Sequence, residues 1–301
     1  AALSVKDGSM AWSYQADGSI FSSPAAANGK VVMGSANGSV YCFNSRTGQL
    51  VWKQQTGAPV LGSPLITGNF LYIGGSKAFF GLELKNGKKR WSFNDLKGPV
   101  VSTPVYYNSR IIFGAWDTYL YSLNSSNGEL VWKWNNGSRV RNYSPAACIP
   151  VVLPGVVYVV APDRYISAIE FETGKTLWRN NDATVRESIG YSKDGKWIYG
   201  KTMQDSMVAY RAGREKQSAA WKMHCGFGYE HVPSMLIEED GFVFFGTKNG
   251  VLYCIHAATR QVQWAYKIDN SMVNTVRVLS KYKIVAATMD GKIVMLQASG
   301  Y

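Results

Sequence analysis

Short apolar runs alternate with clusters of Gly, Asn, Asp, Ser and Pro from one end of the chain to the other. Residues 58–91 display the unit. Apolar stretches at 60–66, 70–74, 79–84 and 88–91 read as four strands, and the turn sequences Thr67-Gly68-Asn69 and Lys85-Asn86-Gly87 separate them. No segment sustains a 3.6-residue apolar period, so helices are not expected.

The unit repeats. Tryptophan recurs at Trp12, Trp52, Trp91, Trp132, Trp178, Trp221 and Trp264, with spacings of 39 to 46 residues. Five of these have Gly four residues earlier: Gly8, Gly48, Gly87, Gly128 and Gly174. A second glycine column is Gly34, Gly74, Gly114, Gly200 and Gly246, and a third column is Ser-Pro or a variant of it, from Ser23-Pro24 to Val232-Pro233. About 40 residues and four strands per repeat is the spacing of a β-propeller blade. A lone blade cannot bury both faces; stacking on its neighbours does, with Trp as the wedge. The chain therefore predicts an all-β, seven-bladed β-propeller of four-stranded antiparallel blades, one domain over 1–301. No Trp follows Trp264, whereas the N-terminus carries a lone Gly8-Ser-Met-Ala-Trp12. The expectation is that the N-terminal strand pairs into the last blade and removes its open edge.

Composition narrows the function. Apolar residues make up 46% and charged residues 17% of the 301, enough for a core and low for a helical protein. No apolar run reaches the roughly 18 residues of a membrane span. The start, Ala1 to Gly8, lacks the basic and apolar regions of a signal peptide and has no initiator Met; it reads as a mature or excised form. The net charge of +12 suits an acidic partner, but the basic residues are scattered without the aromatic stripe of a nucleic-acid surface, so nucleic acid is not expected. Cys42, Cys148, Cys225 and Cys254 form no CxxC, and neither zinc nor a disulfide is expected.

The segments Tyr41-Cys-Phe-Asn-Ser-Arg-Thr-Gly-Gln-Leu-Val-Trp52 and Tyr121-Ser-Leu-Asn-Ser-Ser-Asn-Gly-Glu-Leu-Val-Trp132 resemble the PQQ-type (quinoprotein-like) propeller repeat. So does Ile166-Ser-Ala-Ile-Glu-Phe-Glu-Thr-Gly-Lys-Thr-Leu-Trp178. The resemblance covers the whole chain. It implies one of three settings: quinoprotein dehydrogenases, a protein-binding lipoprotein of outer-membrane assembly, or recognition domains attached to larger bacterial enzymes. The dehydrogenases carry an adjacent Cys-Cys pair, which this chain lacks, so the non-enzymatic members are the better match and no cofactor, PQQ included, is expected. An extracytoplasmic bacterial setting follows from the same resemblance.

Enzyme motifs are absent: there is no Gly-x-Ser-x-Gly, His-Glu-x-x-His or P-loop. Aligning the starts of the first strands gives one lopsided set. Blades one to three offer Phe21-Ser22, Leu61-Gly62 and Val101-Ser102; blades four to six offer Arg141-Asn142, Arg186-Glu187 and Glu230-His231, and blade seven Val273-Asn274. Trp116 and Tyr229 come from adjoining loops. The candidate ligand-binding set is Trp116, Arg141, Asn142, Arg186, Glu187, Tyr229, Glu230, His231 and Asn274, with no catalytic or metal-binding residue assigned. Arginines there suit an anion and aromatic rings a sugar or peptide; the bland alternative is that Arg and Glu pair to solvate a channel. The expected function is a monomeric, non-catalytic ligand- or protein-binding module. The alternatives are a recognition domain of a larger metallophosphoesterase or kinase, and a glycosidase-like hydrolase using Glu187 or Glu230 with His231.

Overall fold

The computed structural model describes residues 1–297. It is an all-β, seven-bladed β-propeller, and the described residues contain no α-helix. Six antiparallel sheets have four strands each in sequence order, and a seventh has three. Blade one is Ala25–Ala27, Lys30–Gly34, Ser39–Asn44 and Leu50–Gln55; blade five is Val185–Tyr191, Trp197–Thr202, Gln204–Arg211 and Trp221–Tyr229. Blade six is Ile237–Glu239, Phe242–Gly246, Val251–His256 and Gln261–Lys267. The chain divides into two compact units, Ala1–Ala147 with blades one to three and a second from Cys148 with blades four to seven.

First strands are shorter than their apolar runs. In blade two the strand is Leu65–Thr67 rather than 60–66. Pro64 has no N–H to give a ladder, and the preceding backbone bonds elsewhere: Val60 N–H donates to the Ser35 carbonyl of blade one, and the Pro59 carbonyl accepts from Ser76 N–H in a turn of blade two.

The tryptophan and glycine columns meet as a lock between blades. Trp12, Trp52 and Trp91 lie on Gly48, Gly87 and Gly128 of the next repeat, so closely that a Cβ on those glycines would fall 2.4–2.7 Å from the ring. Each indole N–H also donates to a carbonyl in the same turn: Trp12 to Ser45 at 3.0 Å, Trp52 to Leu84 at 2.9 Å, Trp91 to Ser125 at 3.0 Å. In the second unit Trp178 donates to the Gly213 carbonyl at 3.3 Å. A neighbouring tyrosine doubles the bond in two blades, Tyr72 to Ser125 and Tyr158 to Gly213, both at 3.1 Å. The ring supplies buried apolar area and the N–H fixes its orientation.

Between blades one and two the core holds Val32, Cys42, Leu71, Ile73 and Phe80 around Trp52. All four cysteines are buried thiols.

The expected closing strand is corrected. Met10–Trp12 pairs with Ala2–Leu3 in a sheet of two strands, and the last sheet has three among the described residues. A tight turn, with Ser4 N–H on the Ser9 carbonyl and Gly8 N–H on the Ser4 carbonyl, brings those two segments together, so the backbone of Met10–Trp12 finds its partner locally. Trp12 still performs the wedge role on blade one, and Tyr14 packs 4.7 Å from the Phe43 ring beside it. The turn expected at 298–300 lies outside the described residues.

Candidate functional site

In the second unit the loops at one end of blades five and six gather Arg186, Glu187, Tyr229, Glu230 and His231 around a residue the sequence reading passed over, Lys201. Glu230 is 2% exposed. One carboxylate oxygen accepts the backbone N–H groups of His231 at 3.0 Å and Val232 at 3.2 Å; the other accepts that of Lys248 at 2.8 Å. It thereby ties the loop entering blade six to a turn within that blade. Lys201 is equally buried. Its ammonium donates to the carbonyls of Gly246 at 3.1 Å and Val232 at 3.3 Å and stands 3.9 Å from Glu230. Burial lowers its pKa to about 8, against the pull of Glu230 and Glu187.

Glu187 interrupts its strand. Its φ is +57°, and the ladder slips between Val185 and Ile189; a non-glycine in this region is held by its surroundings. Burial raises its carboxyl pKa, with Arg186 and Lys201 opposing. Arg186 Nε is buried without a hydrogen bond, 3.7 Å from the Glu187 carboxylate. Outside this buried layer sit exposed groups: Tyr229 is 55% exposed, its ring 5.5 Å from that of His231, with the Lys248 ammonium 5.0 Å from its centre. The arrangement offers cations and aromatic faces to the solvent while both carboxylates are spent inward.

Asn274 does not join the cluster; its amide donates to the Met289 sulfur at 3.3 Å. Arg141 and Asn142 belong to the first unit, on a 3₁₀ turn Arg141–Tyr143 that sequence reading did not anticipate. Arg141 donates to the Lys97 carbonyl at 2.5 Å and, with Lys97, Arg139 and Asp117, lines a cavity of about 340 Å³. Asp117 is consumed there by the Tyr121 hydroxyl at 2.8 Å and the Lys97 N–H at 3.0 Å. Trp116 is half-buried, its N–H on the Pro99 carbonyl.

This geometry does not favour the hydrolase alternative, since Glu187 and Glu230 are 6% and 2% exposed. A general acid or base must reach a substrate, and Glu230 is sealed and saturated with backbone donors. No group of three or more His, Cys, Asp or Glu among the described residues is placed to hold a metal ion.

Lys201 had a signal. It follows Gly200, where the equivalent positions after the other glycines of that column are Ser35, Gly75, Ala115 and Thr247. A lysine among small residues in a buried column needs carboxylates nearby.

Seven blades, with Trp rings seated on glycines of the next repeat at Gly48, Gly87 and Gly128, define a PQQ-type repeat propeller. The family model described as "Outer membrane protein assembly factor BamB" matches residues 1–94 and 82–215, more than half of the chain, and the chain belongs to that family. An outer membrane protein assembly factor BamB of Yersinia pestis is 21% identical over 281 residues, 89% of this chain and 69% of that protein. A tetrathionate hydrolase of Acidithiobacillus ferrooxidans is 30% identical over 154 residues, 47% of this chain, and the match spans only 31% of its length. The solved structure of BamB from Moraxella catarrhalis superposes with a TM-score of 0.78 at 17% identity, over 97% of this chain and 89% of that one; at that identity the likeness shows the fold. No helix of the described residues is long and apolar enough to cross a membrane.

Proposed function

We propose that this chain is a non-catalytic protein-binding propeller of the bacterial cell envelope, a single domain acting as a monomer on the extracytoplasmic side. Its recognition surface is the set of cations and rings over the Lys201–Glu230 layer: Arg186, Tyr229, His231 and Lys248; Arg141 and Asn142, in the first unit, are a separate candidate contact. Membership in a family described by an assembly role carries the reading. The chemistry agrees with it. Cationic and aromatic groups face outward on loops fixed by buried charge, which is how hot-spot residues are pre-organised.

The test is a photo-crosslinking residue placed at Tyr229 in the full chain within its native envelope, with a control at Glu172. A discrete protein adduct at Tyr229, lost in R186A/H231A and absent at the control, is the expected result. No adduct at Tyr229, or equal adducts at both positions, overturns the assignment of this surface.

A further inference from the structure

Two positions of the glycine column are filled otherwise, by Gln217 and Arg260; Trp178 keeps its bond to a turn carbonyl at the first, whereas at the second, the junction of blades five and six, no such bond forms among the described residues. Blade six keeps the turn that receives the ring elsewhere: Ala257 N–H bonds the Gly241 carbonyl and Arg260 N–H that of His256, as Leu84 and Gly87 do in blade two. The glycine, however, is replaced by Arg260, in the same left-handed conformation at φ +57°. A Cβ at Gly87 would sit 2.6 Å from the Trp52 ring; Arg260 has that Cβ, so Trp221 cannot take the same seat. Its guanidinium lies instead 5.8 Å from the Trp221 ring centre.

The donors are thereby stranded. Trp221 is 9% and Tyr199 4% exposed, with ring centroids 6.1 Å apart. In blades two and four the equivalent pair converges on one backbone carbonyl. Here neither the indole N–H nor the phenol makes a hydrogen bond within the described residues, and no donor reaches the Ala257 carbonyl that stands where Leu84 does. Both rings line a cavity of about 550 Å³, open to solvent, whose rim carries Asp194, Glu238 and Asp240 beside Lys193 and Arg260. Neither donor atom is fully buried, so both meet the solvent of the cleft.

We propose that this cleft binds a main-chain amide of a partner polypeptide, its carbonyl accepting from Trp221 Nε1 and the Tyr199 hydroxyl. The two donors are held as a pair that, in sister blades, grips a peptide carbonyl; the ligand replaces the carbonyl that Arg260 keeps out of reach. The ligand's own N–H has an acceptor opposite in the Ala257 carbonyl. Asp194 is paired with Lys196 at 3.0 Å, and Glu238 accepts the backbone N–H groups of Lys193 and Gly241, which leaves Asp240 on the rim to meet a Lys or Arg beside the bound amide. The cleft lies on the turns joining first to second and third to fourth strands, the opposite strand ends from Arg186 and Glu230. The inference rests on the reading of the chain as protein-binding, and adds a second contact.

The ¹⁵N-labelled full chain, titrated with acetyl-Gly-Lys-Gly-amide, tests it on the Trp221 indole resonance. A saturable downfield shift is expected, about fivefold weaker in Y199F for the loss of one hydrogen bond. In R260G the ring should drop onto the glycine: the shift disappears and the indole N–H becomes protected from exchange. No shift at tens of millimolar peptide, an equal shift with glucose, or unchanged indole exchange in R260G overturns the proposal. R186A should leave the titration unaltered, so failure here is separable from failure of the loop surface around Arg186.

Discussion

A lysine ammonium withdrawn from water costs several kcal/mol unless neighbours replace the lost solvation. Around Lys201 the replacements are the carbonyls of Gly246 and Val232 and the Glu230 carboxylate. Removing Glu230 leaves that cation and three backbone N–H groups without their acceptor, so E230A should lose about 3–5 kcal/mol of unfolding free energy. K201M/E230A should regain part of it; urea denaturation of the single and double variants measures the coupling. The pH dependence has a definite sign. Lys201 titrates at about 8 in the fold against 10.5 ordinarily, so between those values the unfolded chain binds more protons. Stability of wild type relative to K201M should therefore rise as pH climbs from about 8 to 10.5 and fall as it drops back through 8. Urea midpoints of the two proteins across that window check it; a constant difference contradicts the buried-cation account. Legibility at this scale was uneven. Arg186, Glu187 and Glu230 emerged from aligned strand starts, because rim positions recur once per repeat. Asn274 emerged from the same column but turns to Met289, since the register slip between Val273 and Thr275 breaks the alternation of side-chain direction in its strand.

For the strands and turns, the decisive device is the ring seated on a glycine. G87A places a methyl 2.6 Å from Trp52 at a φ of +74°, and should cost on the order of 2 kcal/mol or more. G68A is the comparison: φ is +55° with nothing near the added methyl, so only the backbone term of about 1 kcal/mol applies. Equal losses in chemical denaturation would mean that Trp52 is not the reason for the glycine. Both columns of this lock were visible as a repeat, which is why blade number and strand order could be read before any coordinates. The partner of Met10–Trp12 could not. Ala2–Leu3 is two residues long, too short for any alternation to register, and a turn through Ser4 and Ser9 decides the pairing. The break at Arg260 was equally visible as a missing glycine; its meaning needed the ring positions in the other blades.

Across the molecule, 32 basic residues against 20 acidic ones give +12, and the outward groups over the Lys201 layer carry the same sign. Association with an acidic partner should be steered by that field, so its rate should fall severalfold between low and physiological salt while the dissociation rate changes little. Stopped-flow measurement with the crosslinked partner, once isolated, provides the check; a salt-independent rate would remove charge from the account. Family membership agrees with the repeat read from Trp12 to Trp264, whereas the division after Ala147 has no compositional mark in the chain.

The thiols carry a last implication. Cys148 and Cys225 are buried deeply enough that their pKa values rise to about 12, and a protonated thiol is a poor nucleophile toward disulfides. In an oxidising compartment the native chain would stay reduced simply because oxidants meet no thiolate. A chain entering such a compartment unfolded would have no such shelter: three of its four sulfhydryls belong to one unit, so folding would become a race between sheet formation and mispaired bridges, and reductant supplied during refolding should raise the yield.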